Sequence, residues 1–130
     1  ADGTGSGKAY IFDVATGALL HILDNPNVDG NSVNDRFGYA VAISGDRAIA
    51  GAWGEDDADG TGSGKAYIFD VATGALVKTL DNPNAYGTSE SDYFGSVLSI
   101  SGDYAIVGAY GEDDAGGTTG SGKAYIFTAG

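Results

Sequence analysis

The sequence predicts an all-β chain made of a repeated four-stranded antiparallel meander, and three observations carry that expectation. First, residues 1–57 recur as residues 58–114, identical without a gap at 41 of 57 positions, about 72%. Second, the apolar segments are short, rich in β-branched and aromatic residues, and bounded by Gly, Asp, Asn or Ser clusters, which is how strands read. Third, no stretch sustains the i, i+3, i+4, i+7 pattern over the roughly 10–12 residues that a helix needs.

In the second unit the first strand is AYIF at 66–69 and the second is ALVKTL at 75–80. Asp70-Val71-Ala72-Thr73-Gly74 joins them. The Asp side chain can accept bonds from backbone N–H groups two residues on, and the Gly supplies the positive φ that closes a hairpin. The third and fourth strands are FGSVLSI at 94–100 and YAIVGAY at 104–110, joined by Ser101-Gly102-Asp103. The unit therefore reads as an up-and-down meander of strands one to four. In a meander successive turns alternate between two ends. The two tight turns should share one end, and the long connections at 54–64 and 81–93 should share the other.

Four-stranded meanders repeating at about 40–60 residues are β-propeller blades. The units are placed at 1–57 and 58–114, with 115–130 supplying the first strand of a third. Propellers close with about four to eight blades, so two blades and an orphan strand make an incomplete ring. Two explanations stay open. The chain, which opens inside a loop, is a processed or excised piece of a longer propeller. Otherwise its partners are other copies of itself, closing a ring or propagating a filament through the extra strand.

Phe-Gly, an apolar strand, a tight turn and Gly-Ala-aromatic recur in FGYAVAISGDRAIAGAW (37–53) and FGSVLSISGDYAIVGAY (94–110). The pattern resembles the FG-GAP repeat, the blade of integrin-α-like propellers, and most resembles the variety found in bacterial exported proteins. The resemblance covers nearly the whole chain. It implies a propeller fold, an extracellular or cell-surface location, and a non-enzymatic role in adhesion or protein interaction. In integrin-type repeats a calcium loop lies between the two signature strands. Here that connection is only Ser44-Gly45-Asp46 or Ser101-Gly102-Asp103, too short to wrap a cation.

Another acidic loop follows the Gly-Ala strand: Glu55, Asp57 and Asp59 alternate ahead of Gly60. Alternate carboxylates before a sharp bend suit Ca²⁺, which takes about six to eight oxygen ligands. The second copy keeps Glu112 and Asp114 but has Gly116 in place of the third carboxylate. A solvated acidic turn, its side chains capping backbone N–H groups, is the other reading.

Eighteen Asp and Glu against six Lys and Arg give a net charge of −12. Nucleic acid and anionic membrane surfaces are disfavoured as partners, since both would be repelled. No apolar run approaches the ~20 residues of a membrane span, so insertion is not expected. With no Cys, there is no disulfide, thiolate nucleophile or Cys-based zinc site. Catalysis finds little support: His21, the one His, is replaced by Lys78 in the second unit and reads as a strand residue. The Gly3–Lys8 stretch imitates a phosphate loop but precedes a strand, whereas a phosphate site needs a helix. Lys8, Lys65 and Lys123 precede AYIF in every copy and suit structural ion pairs. Trp53 and Tyr110 end equivalent strands and are expected to pack between blades, with a sugar-stacking platform as the rival. Three readings follow: an extracellular protein-interaction module, a self-assembling surface or filament subunit, and a glycan-binding lectin.

Overall fold

A computed structural model describes residues 7–26, 36–53, 64–81, 83, 93–109 and 122–129. Among these there are nine strands and no helix: β1 (Lys8–Phe12), β2 (Leu19–Asp24), β3 (Phe37–Ser44), β4 (Arg47–Ala52), β5 (Lys65–Asp70), β6 (Leu76–Asp81), β7 (Val97–Ser101), β8 (Tyr104–Ala109) and β9 (Lys123–Thr128). They form three antiparallel sheets, β1–β2, β3–β4–β5–β6 and β7–β8–β9. The all-β meander is present, built of propeller-type blades, and the sheets do not close into a ring.

The order of strands within the meander differs from the expectation. The complete sheet takes strands three and four of one unit with strands one and two of the next, so it runs across residue 57. The last AYIF strand is not an orphan either, because β9 pairs with β8 from Tyr104↔Thr128 to Ala109↔Lys123. The reason lies in side-chain patterning. β4 (RAIAGA) and β5 (KAYIFD) are almost wholly buried. A strand apolar on both sides belongs at the centre of a sheet covered on both faces. β6 (LVKTLD) carries Lys78, Thr79 and Asp81 and is mostly exposed or half-buried, which suits an edge.

The four-stranded sheet lies between the other two. On one face Ala48, Ala50, Ala52, Tyr67 and Phe69 pack with Ala9, Ile11 and Leu23 of the β1–β2 sheet. On the other, Ile49, Ala66, Ile68 and Leu80 pack with Phe94, Ala105 and Val107 of the third sheet. Each fully buried large side chain here contributes about 1.5–3 kcal/mol, and Ile49, Tyr67 and Ile68 of β4 and β5 are among the largest of them.

The tight turns behave as read. Asp70 Oδ1 accepts from the Ala72 and Thr73 amides at 2.8 and 3.2 Å, and the Gly74 amide donates to the Asp70 carbonyl at 2.7 Å. Thr73 adds a bond the sequence reading missed, its Oγ1 accepting from Ala75 at 3.2 Å. The same set recurs at Asp13–Ala18. One strand starts later than expected. β7 begins at Val97 rather than Phe94, behind left-handed Tyr93 (φ 60) and Gly95 (φ 96). The equivalent left-handed pair at Arg36 and Gly38 does not delay β3, which begins at Phe37.

Those left-handed residues bring neighbouring sheets into backbone contact. A Cβ on Gly64 would overlap the Phe94 carbonyl oxygen, and one on Gly95 would overlap that of Lys65. Gly7 and Gly38 repeat the arrangement with Phe37 and Lys8. The Phe-Gly signature is thus where one blade's backbone meets the next.

Candidate functional site

The candidate metal ligands Glu55, Asp57, Asp59, Glu112 and Asp114 lie outside the described residues. Among the described residues no group of His, Asp and Glu is arranged to hold a metal ion. The donor set in the first loop, three alternating carboxylates, fits an oxygen-seeking cation such as Ca²⁺. The second loop, with one fewer, fits it less well.

The ends of the strands that flank these loops are described. Phe37, Ala52, Lys65 and Asp81 stand in register across the four-stranded sheet, through Phe37↔Ala52, Ala52↔Lys65 and Lys65↔Asp81. The connections at 54–64 and 82–92 therefore leave from one end. The opposite end holds the tight turns, tied together by Val71 N–H on the Asp46 carbonyl at 2.9 Å and Gly102 N–H on Ser44 Oγ at 3.1 Å.

At the long-connection end, the repeated lysines form cross-strand ion pairs, Lys8 with Asp24 and Lys65 with Asp81. These partners, Asp24 and Asp81, close the second strand of each hairpin. The Lys65 side chain is 3% exposed against 44% for Lys8. Lys65 lies on the side of β5 that carries Tyr67 and Phe69 and is covered by the β1–β2 sheet, whereas Lys8 lies on the exposed side of β1 with Tyr10 and Phe12.

Trp53 sits at the same end. It meets Tyr39 of its own sheet edge-on at 5.6 Å and Tyr93, at the entrance to the next, at 5.1 Å. The Arg36 guanidinium lies 5.0 Å from the indole centroid, a cation–π contact. Trp53 Nε1 is buried without a hydrogen-bond partner. The indole thus packs between adjacent blades, as expected. Tyr110 lies outside the described residues.

His21 is half-buried under the neighbouring turn, its Nε2 3.2 Å from the Ala72 carbonyl. Lys78, its counterpart, donates to Thr128 Oγ1 at 3.2 Å. This repeat position ties each outer strand to the following sheet, a role that single-strand alternation could not reveal.

Two recesses went unpredicted. An apolar groove of about 540 Å³ lies between β1 and the β3–β4 face, lined by Tyr10, Ile11, Val41, Ile43 and Ala48 among others. A polar cleft of about 270 Å³ separates the tight turns, lined by Ser44, Asp46, Arg47 and Asp103 with the intervening glycines. Arg47 reaches Asp70 there at 3.4 Å. Neither brings together a nucleophile and a base.

Tandem antiparallel sheets of two, four and three strands, with tight turns at one end and long connections at the other, define a β-propeller-like repeat protein. A family model described as FG-GAP repeat matches residues 28–69 and 84–127, about two thirds of the chain. The chain belongs to the FG-GAP repeat family. Its matched segments run from the Phe-Gly strand through the AYIF strand, the order in which β3–β4–β5 and β7–β8–β9 are hydrogen-bonded. No curated protein matches the chain.

Proposed function

We propose that the chain is a non-enzymatic adhesion or protein-interaction module acting outside the cell or on its surface. Its binding surface is the blade end carrying the long acidic connections, and calcium stabilises those connections. The observation that most supports this is the common origin of the loops, since Phe37, Ala52, Lys65 and Asp81 stand side by side at one end. Loops on a rigid scaffold are where recognition usually resides. Membership of the FG-GAP family supports an interaction role, and alternating carboxylates support calcium as the ion. Catalysis forms no part of the proposal, His21 being engaged with a backbone carbonyl.

Thermal melts in millimolar calcium and in chelator test the metal. Calcium should raise the Tm, and Asp57→Asn with Asp59→Asn should abolish the rise. A Tm indifferent to chelation in the native chain ends the calcium reading. Beads coated with the chain, challenged with purified extracellular-matrix proteins, test adhesion. Retention that disappears in chelator is expected, and no retention in either condition ends the adhesion reading.

A further inference from the structure

We propose that the cluster of Arg36, Tyr39, Trp53 and Tyr93, where two sheets meet at the long-connection end, is the docking point for a carboxylate side chain of a partner protein. The proposal deepens the protein-interaction reading, and rests on it, by naming the contact and the chemical group it takes.

The cluster is built from residues that the repeat itself does not require. Trp53 meets Tyr39 and Tyr93 edge-on at 5.6 and 5.1 Å, and the Arg36 guanidinium lies 5.0 Å from the indole centroid. Both flanks of this junction belong to the chain, the β3–β4–β5–β6 sheet on one side and the entrance to β7 on the other. The second copy has Tyr93 in place of Arg36, Ser96 in place of Tyr39 and Tyr110 in place of Trp53. Positions that every blade needs, such as Phe-Gly and Gly-Ala, are the same in both copies, whereas these three all differ. Packing alone does not account for them. Arg36 is exposed and Tyr39 is 66% exposed, so the cluster forms part of the molecular surface.

Chemistry selects the ligand. Among the described residues Lys8, Lys65 and Arg47 each pair with a carboxylate, whereas Arg36 is held over the face of an indole. A guanidinium held over a ring can still offer its N–H edge, and that fork matches a carboxylate through two parallel bonds. Trp53 Nε1 is a second donor, buried and without a partner, so what the cluster lacks is an acceptor. The two tyrosine rings supply apolar surface for the methylene stem of an Asp or Glu. Trp, Tyr and Arg are also the residues most enriched among the anchors of protein interfaces. The net charge of −12 repels a run of acidic residues. The site therefore suits one carboxylate and not an acidic tract.

Trp53 is the one Trp of the chain, so its fluorescence and its indole N–H resonance report on this site alone. Blocked pentapeptide mixtures with a central Glu, and matched mixtures with a central Gln, are titrated into the full chain. The Glu mixtures should shift both signals saturably. The Gln mixtures should bind at least about tenfold more weakly, the loss expected for a charge-assisted hydrogen bond. Arg36→Tyr and Tyr39→Ser install the residues of the second copy, and each should weaken Glu binding by a similar factor. Arg36→Gln replaces the first if circular dichroism shows that it does not fold. No saturable shift, an equal response to Gln, or binding indifferent to the Arg36 variant overturns the proposal. So does tighter binding of glucuronate or N-acetylneuraminate, which would make this a site for acidic sugars. Retention on matrix proteins that survives the Arg36 variant overturns this contact and leaves the interaction reading standing. Glu-peptide binding without any such retention upholds the contact and ends the adhesion reading.

Discussion

Gly64 shows how much one residue carries. It stands at φ +91 just before β5, and a Cβ there would run into the Phe94 backbone of the next sheet. Two penalties combine in Gly64→Ala, a left-handed alanine and a backbone overlap that no side chain can relieve. Gly17 isolates the first of these, being left-handed at φ +76 with nothing within 4 Å of an added Cβ. Gly17→Ala should cost about 1–2 kcal/mol for the left-handed conformation. Gly64→Ala should cost at least about 2 kcal/mol more, because the sheets must separate to admit the methyl group. Urea unfolding of the two variants measures the difference, and equal costs would show that the sheets do not touch there. The sequence displayed Gly64 plainly, inside a glycine run just ahead of an AYIF strand. What it could not display was the Phe94 carbonyl opposite, because that contact joins two sheets.

At the scale of elements, β1, β5 and β9 are one sequence in three settings. β5 has strands on both edges and sheets on both faces, whereas β1 and β9 each lack a neighbour on one edge and one face. Amides open through local fluctuations whose cost follows the contacts they break. Hydrogen exchange should therefore be slowest at Ala66–Phe69 and the facing amides of β4, and faster at Ala9–Phe12 and Ala124–Phe127. Equal protection in the native monomer would mean that sheet position does not govern stability. The strands themselves were legible, because alternation and turn chemistry are local: Asp70 and Gly74 behave as their types dictate. The pairing of β4 with β5 was harder, since the 52–65 and 24–37 connections are of equal length. The decisive signal was the uninterrupted apolar character of RAIAGA and KAYIF, which marks central strands. Of the candidate site, only the shared origin of the long loops could be compared, and strand parity anticipated it. The five carboxylates themselves fall outside the described residues.

For the whole molecule, charge and exposed apolar surface pull in opposite directions. Every copy carries −12, so two copies repel over distances set by the ionic strength. The outward sheet faces expose Tyr10, Phe12, Ile22, Ile106 and Ile126, none of which gains from a charge. Screening should weaken the repulsion and leave the apolar attraction nearly intact. The screening length shrinks from about 30 Å at 0.01 M salt to about 10 Å at 0.1 M. Any contact between copies made through these apolar side chains should therefore strengthen as sodium chloride rises across that range, without calcium. An interface held by ion pairs would respond with the opposite sign, since salt screens attraction as readily as repulsion. Raising salt in chelator during sedimentation separates the two. A fall in mass with salt would place the contact on charged groups such as Lys8 and Asp24, and not on the apolar faces.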